Sequence, residues 1–353
     1  MRIAILTNAF PPEAKGGAGQ IAALQVDVLR SAGHEVRVWH PQITWFSRSV
    51  PVRLLRHVCD LWPSHETVAE IVAWKPEVLI THNLTGCGFA TPQAIRTHHL
   101  VRWFHVLHDV QLFEPSGQLV SAVAITWWQR LWSSLRRRAL GQPDVVVTPT
   151  QWLLDEHKRR GFFSKGLSMV LPNPAPVAQT FDRALHAPLR LLFVGRVSED
   201  KGANLLAGLL NELDVPFLME IVGTGPDMNA LLEHSQRIHA FGVASPEQVL
   251  ARMREADVLL VPSQIEENQP TVILEAASVG LPVIASDKGG IRETLRGAGI
   301  ICPAQDLGAW KQAIQSLIEE HVYQQAVMSM KMIAEQHERS RYQARFTEAL
   351  RGE

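Results

Sequence analysis

The chain has 353 residues, a formal net charge of −1, 46% hydrophobic and 20% charged residues, a make-up that suits two globular domains of about 150–180 residues each and gives no reason to expect a nucleic-acid partner. No apolar run reaches the roughly 20 residues that span a bilayer, and the opening Met1–Asn8 meets Pro11-Pro12 too early for a secretory signal. Three scattered cysteines, Cys59, Cys87 and Cys302, fit neither a disulfide framework nor a zinc site, so a reducing, cytoplasmic setting is expected.

Short β-rich apolar runs alternate with helical patterns. Strands are predicted at Arg2–Thr7, Glu35–Trp39, Val78–Thr81, Trp103–Leu107, Val145–Thr148 and Ser168–Leu171, with a helix over Gln20–Ser31 that Gly33 closes. Pro172-Asn173-Pro174-Ala175-Pro176 breaks the pattern, and a loose stretch runs to Pro188. A second series then follows at Leu189–Val194, Met219–Val222, Ile238–Phe241, Val258–Val261, Val283–Ala285 and Ile300–Ile301, with helices only from Asp306 onwards. Near-continuous apolar strands with helical crossovers imply parallel sheets covered on both faces. The fold class is therefore α/β: two tandem Rossmann-like, doubly wound domains over 1–178 and 186–330, with an interdomain cleft and a helical tail over 331–353 free to pack back on the first domain. The halves differ in charge, +6 over residues 1–178 and −7 over 179–353, and nine of the ten tryptophans lie in the first. Such asymmetry suggests different partners for the two domains.

Ligands of open parallel sheets bind where strands end and helices begin. After Leu189–Val194 comes Gly195-Arg196-Val197-Ser198-Glu199-Asp200-Lys201-Gly202. Arg196 and Lys201 can converge there on one diphosphate, a planar fork and a compact charge, with Gly195 and Gly202 admitting it closely. The plainer reading is a solvated loop with two surface cations. Next, Pro262-Ser263-Gln264-Ile265-Glu266-Glu267-Asn268-Gln269-Pro270-Thr271 leads into a helix that carries Glu275 among Val272, Ile273, Leu274, Ala276 and Ala277. Backbone amides at that helix start suit a phosphate. A carboxylate on an apolar helix needs partners, and vicinal sugar hydroxyls supply two donors. Here the alternative is a surface acid and a helix salt-bridge partner.

In order, Gly195-Arg196…Lys201-Gly202, Glu267…Glu275 and Ser286-Asp287-Lys288-Gly289-Gly290…Glu293 resemble the family-4 retaining glycosyltransferases of the two-Rossmann (GT-B) fold, also termed glycosyl transferases group 1. Pro11-Pro12…Gly16-Gly17, Gly33-His34-Glu35-Val36, His108-Asp109 and Val222-Gly223-Thr224-Gly225-Pro226 stand at that family's usual places. The resemblance implies an acceptor-binding first domain and a second domain that binds a nucleoside-diphosphate sugar. By it, Arg196 and Lys201 hold the diphosphate, Glu275 the ribose, and Glu267 faces the donor sugar. The backbone of Asn268, Gln269, Pro270 and Thr271 lies near that sugar and the phosphate, and Gly242-Val243 near the base. Gly223 lets the donor pass closely, and Gly16 and Gly17 bring amides from the first domain. His108 reaches the sugar or reacting centre, with His82 a weaker candidate. Glu267 rather than Glu266 is the first acid because it gives the eight-residue offset to Glu275. The usual Glu-Gly-Phe-Gly is here Glu267-Asn268-Gln269-Pro270, and the usual Asn-Gly before the linker is Asn173-Pro174; both bear on donor identity.

The resemblance further implies a retaining transfer to an acceptor hydroxyl in surface polysaccharide, lipopolysaccharide or glycolipid assembly. No Asp-x-Asp occurs to hold a cation against a diphosphate, so no metal or other cofactor is expected, only the sugar nucleotide as co-substrate. Competing readings are a non-catalytic nucleotide-sugar-binding subunit, a sugar-nucleotide epimerase or hydrolase, and a nicotinamide oxidoreductase; the last lacks its glycine fingerprint, since Gly16-Gly17-Ala18-Gly19 is not Gly-x-Gly-x-x-Gly. Finally, Thr126–Arg138 combines three tryptophans with four arginines, and on a helix Trp128, Leu131, Trp132 and Leu135 share a face. That face either meets a membrane surface or a lipid-diphosphate-linked acceptor, or it docks on its own sheet.

Overall fold

The computed structural model describes residues 1–12, 17–41, 50–120, 124–178, 182–233 and 236–352, with the backbone alone over 50–54. It divides into two units, Met1–Pro172 with Arg345–Glu353, and Asn173–Ala344.

The first unit runs β1 (Arg2–Leu6), α1 (Gly17–Ser31), β2 (Glu35–Trp39), α2 (Val50–Cys59), α3 (His65–Trp74), β3 (Val78–Thr81), α4 (Thr91–His98), β4 (Arg102–Val106), α5 (Trp127–Leu140), β5 (Val145–Thr148), α6 (Gln151–Arg159) and β6 (Leu167–Val170). Its six strands are parallel in the order β2-β1-β3-β4-β5-β6. The second unit runs β7 (Leu189–Val194), α7 (Ala203–Glu212), β8 (Phe217–Val222), α8 (Met228–Glu233), β9 (Ile238–Gly242), α9 (Pro246–Glu255), β10 (Val258–Val261), α10 (Thr271–Ser278), β11 (Val283–Ser286), α11 (Ile291–Leu295), β12 (Ile300–Cys302), α12 (Leu307–Ser316) and α13 (Glu320–Gln336). Its parallel order is β12-β11-β10-β7-β8-β9. A last helix, α14 (Arg339–Arg351), begins in the second unit and ends in the first, where Arg102 Nη1 donates to Leu350 O at 2.8 Å and Arg345 Nη2 to Val170 O at 2.8 Å. Each of the twelve predicted strands has its counterpart, within a residue or two at the ends.

The reason lies in composition by position. The central strands β3, β5, β10 and β11 are buried along their whole length, so both faces must be apolar, and β-branched runs result. Edge strands β2, β6 and β9 face water for part of their length and mix in charged or polar residues. In the second unit two cores flank the sheet. One gathers Leu206, Leu209, Met219, Trp310 and Ile314, and the other Leu192, Leu259, Ile273, Ala277 and Ile333. Helix α5 opens with a capping box, Gln129 N to Thr126 Oγ1 at 3.2 Å and Thr126 N to Gln129 Oε1 at 3.3 Å.

The tryptophan-rich face is split rather than shared. Trp132 is buried, whereas Trp127, Trp128, Leu131 and Leu135 stand exposed. Arg136, one turn on from Trp132, is buried with it. Its guanidinium lies over the Phe89 and Trp132 rings and Nη2 donates to His57 Nδ1 at 3.0 Å, which joins α5 to α2.

Arg183 staples the second unit. It is buried, with Nε donating to Val279 O (2.9 Å), Nη1 to Ala256 O (2.6 Å) and Nη2 to Met253 O (2.5 Å). One side chain thus satisfies terminal carbonyls of α9 and α10, where a cation also suits the helix dipoles. Replacing Arg183 with Ala strands those acceptors and is expected to cost about 2–4 kcal/mol, read as an earlier urea midpoint for this unit at unchanged slope.

Candidate functional site

In the second sheet the chain turns back between β7 and β10, so the loops that leave these neighbouring strands diverge and open a crevice at their carboxyl ends. The sequence places its most charged loops there. Gly202, at φ +88°, ends the loop after β7, and a Cβ added to it would stand 2.1 Å from Pro262 O, in the loop after β10. Gln264 N donates to Asp200 O at 2.9 Å across the same junction. The loop after β11 closes in as well. Gly290 N donates to Glu267 O at 2.8 Å, Ser286 Oγ to Ser263 O at 2.6 Å, and a Cβ added to Gly289 would lie 2.1 Å from Glu267 O. The loops after β10 and β11 therefore meet on the backbone of Glu267, and the loop after β7 is tied to the same segment through Pro262 and Gln264.

Its side chain is equally held. The Glu267 carboxylate accepts from Ser263 Oγ at 2.7 Å and forms an ion pair with Lys201 Nζ. This is the acid singled out over Glu266 by spacing. Arg196 stands half-exposed, with Nη2 donating to Asp200 Oδ2 at 2.6 Å. The two cations thus each hold a carboxylate. Glu275 differs. It lies mostly buried on α10 with no hydrogen-bond partner for its carboxylate among the described residues, and burial raises its pKa. A carboxylate so placed has acceptor capacity left to offer a ligand's hydroxyls.

The remaining expected site residues of the second unit differ in how they are held. Pro270 is the N-cap of α10, without a side-chain cap, and Thr271 is the first helical residue, exposed. Gln269 is turned inward and buried, its Oε1 accepting from Asn173 N at 2.8 Å. Its side chain thus anchors the loop, leaving only its backbone to face outward chemistry. Asn268 precedes it in the same loop. Gly223, expected to let a ligand pass closely, is required by the chain as well: an added Cβ would fall 1.9 Å from Gly195 O. Gly225 is as tight, 2.0 Å from Val197 O. Hydrogen bonds from Gly195 N to Val222 O (2.9 Å) and Val197 N to Thr224 O (3.0 Å) draw these strands' exits together. Gly242, at φ +83°, ends β9 with open space around it, and Val243 beyond is exposed. Arg252 lies over the neighbouring Phe241 ring, 5.2 Å to its centroid.

In the first unit, Gly17 begins α1 and is exposed, while Gly16 lies outside the described residues. His108 follows β4, and its Nε2 is 2.8 Å from His82 Nδ1, at the end of β3. Burial lowers the pKa of both, that of His108 to about 4. Beside them Asp109 accepts from Asn83 Nδ2 (2.7 Å) and Gln111 N (2.8 Å). Ser263 and Asp200 were not marked as site residues. A serine four residues before an acid, or an acid four after an arginine, leaves no periodic signal in a loop.

Residues 188–320 match the family described as Glycosyl transferases group 1, and residues 15–179 match Glycosyltransferase Family 4. The chain is 25% identical over 331 residues to a putative teichuronic acid biosynthesis glycosyltransferase of Bacillus subtilis, with 82% of each chain covered. Its fold is that of sucrose-phosphate synthase from Thermosynechococcus elongatus, at a TM-score of 0.77 and 16% identity over 99% of this chain and 98% of the other. It is also that of Anabaena HepE, crystallised with UDP-glucose, at a TM-score of 0.71 and 14% identity over all of both chains. With both halves matched in tandem and two Rossmann-like six-stranded sheets in place, the chain belongs to the group 1, family 4 glycosyltransferases of the GT-B fold.

Proposed function

We propose that this glycosyltransferase moves a sugar from a nucleoside-diphosphate sugar to an acceptor hydroxyl with retention at the anomeric carbon and without a metal ion or other cofactor. The observation that carries the reading is the meeting of three loops on Glu267, with Lys201 paired to it, at the crevice of the second sheet. Arg196 and Lys201 exchange their carboxylate partners for the diphosphate and stabilise the charge that develops on the leaving group. Backbone amides of Asn268, Gln269 and Thr271 and the start of α10 assist. Glu275 takes the ribose hydroxyls, Glu267 faces the sugar, Gly242 and Val243 lie against the base, and His108, with Gly16 and Gly17, serves the sugar and diphosphate. The acceptor oxygen attacks from the face the diphosphate leaves, the bond from C1 to the phosphate oxygen breaks, and the acceptor proton passes to that oxygen. HepE's complex with UDP-glucose and the tandem family matches support a sugar-nucleotide donor.

The relative in teichuronic acid biosynthesis supports an acceptor of the glycan or lipid-linked class in surface-polysaccharide or lipopolysaccharide assembly, handled at the cytoplasmic face of the plasma membrane. Among the described residues no helix is long and apolar enough to cross a membrane. A surface contact is proposed instead. Trp127 and Trp128 on α5 and Leu55 and Val58 on α2 are exposed, and the two helices are joined by the Arg136–His57 contact. Exposed Arg130 and Arg138 on α5 supply charge opposite to anionic headgroups.

A panel of sugar nucleotides, assayed for nucleoside diphosphate release with acceptor and with EDTA present, tests the reaction; the product anomer is read by NMR. Inversion, loss of turnover in EDTA, or release that never yields a glycoside contradicts the proposal. Lys201→Ala is expected to lower kcat/KM at least about a hundredfold with the fold intact. Glu275→Gln separates function from stability. Because burial raises the Glu275 pKa, the folded state binds its proton more tightly than the unfolded state, so ionisation costs stability as pH rises through the raised value. The variant is therefore expected to melt higher than wild type at pH 7, with the gain shrinking towards pH 4, while donor binding is lost. Vesicles containing anionic lipid are expected to sediment the wild-type protein at low salt, and Trp127→Ser with Trp128→Ser to abolish this; a soluble wild type overturns the membrane contact.

A further inference from the structure

His82 sits at the end of β3, fully buried, its backbone N donating to Leu6 O at 2.9 Å on the neighbouring β1. The adjoining Asn83 is fixed too, by Asn8 N to its O (2.8 Å) and by its amide to Asp109. So the loops after β3 and β4 carry two side-by-side cross-links, His82 to His108 and Asn83 to Asp109. Between the imidazoles, Nδ1 of His82 and Nε2 of His108 are 2.8 Å apart, with ring planes at 15° and centroids at 5.1 Å. Nitrogens that close cannot belong to rings lying face over face. The rings meet by their edges, nearly in one plane, as an N–H directed along an in-plane lone pair requires.

Only one of these two nitrogens carries the shared proton. His82 Nε2 is the deciding atom: it is buried and has no hydrogen-bond partner among the described residues. A proton placed there is a buried donor with nothing to bond, the costlier way to leave a group unmade. A proton on Nδ1 makes the bond to His108 and leaves His82 Nε2 a bare buried lone pair. Burial keeps both rings neutral at pH 7, with one ring proton each. Since His108 Nε2 accepts, the His108 proton must be on Nδ1.

We infer that His82 is a positioning residue for His108: its Nδ1–H bond to Nε2 fixes the His108 ring and tautomer, so that His108 offers the transferred sugar an N–H donor and never a base. This rests on the assignment of His108 to the sugar, and the roles are separable by experiment. With the full chain, kcat and donor KM are measured for His82→Phe, His82→Asn and His108→Ala, and ¹⁵N-histidine NMR reads the His108 tautomer in wild type. His82→Phe, which keeps a ring but no donor, is expected to lower kcat about ten- to a hundredfold with little change in KM. His82→Asn, whose amide stands near the place of Nδ1, is expected to restore most of the loss. The wild-type spectrum is expected to show His108 protonated on Nδ1. Unaltered kcat in a folded His82→Phe while His108→Ala is inactive overturns the inference and leaves the His108 assignment standing; a fully active His108→Ala overturns that assignment. If His82→Phe does not fold, the wild-type tautomer decides, and a proton on His108 Nε2 overturns the inference.

Discussion

The second unit draws three loops of its sheet together on a single acid, Glu267. The Glu267 carbonyl is gripped by Gly290, its flank is closed by Gly289, and its carboxylate is bonded to Ser263 and paired with Lys201. Four residues, from the loops after β7, β10 and β11, agree on one position. Such mutual fixing sets the loops in place during folding; on the proposed reading only the ion pairs of Lys201 and Arg196 then change when the diphosphate arrives. The same pairing has a second effect. A cation already neutralised binds a diphosphate less tightly than a bare one, because its carboxylate must be displaced or tolerated. On the proposed reading this moderates the hold on the nucleotide product as well as on the donor, which favours a leaving group that is stabilised and then released.

The first unit builds its site by a different device. Burial keeps His82, His105, His108 and His157 neutral, and their roles are then set by which nitrogen bonds to what: His105 to Thr81 Oγ1 at 2.7 Å, His157 to Leu153 O at 2.8 Å, His82 to His108. Acid is thus unwelcome throughout. These rings titrate below the unfolded value, so stability present above it is lost as pH falls through that value towards about 4. Arg136 is the opposite case, a cation that burial brings down to about 9 and that aromatic faces help to retain.

The strands were legible because a doubly covered parallel sheet demands apolar residues on both faces, and Val78–Thr81, Val145–Thr148 and Val258–Val261 carry little else. Charged loop residues were legible too, since Arg196, Lys201 and Glu267 stand where strand gives way to helix. What escaped was partnership. Nothing in the sequence tells that Asp200 holds Arg196, that Ser263 holds Glu267, or that the Gln269 side chain turns back to Asn173. These bonds join residues by position in space, and loops have no period from which to infer them. Trp132 shows the matching limit for helices. Spacing put it on a face with Trp128, but whether a position one turn away is covered depends on α2, which the helix's own pattern does not encode.

The tight junction between the exits of β7 and β8 sets where this enzyme can change. At Gly223 and Gly225 a single added carbon collides with a main-chain oxygen, which no rotamer can relieve. Those positions are closed to innovation. Gly242 is different: an added Cβ meets nothing within 4 Å, so only its left-handed backbone restricts it, and Val243 beside it is free to vary in size and polarity. On the proposed reading, in which Gly242 and Val243 lie against the base, altered preference for the nucleotide is therefore accessible by substitution at the end of β9 and closed at the end of β8, a division that a designer of new donor specificity inherits from the packing of two glycines.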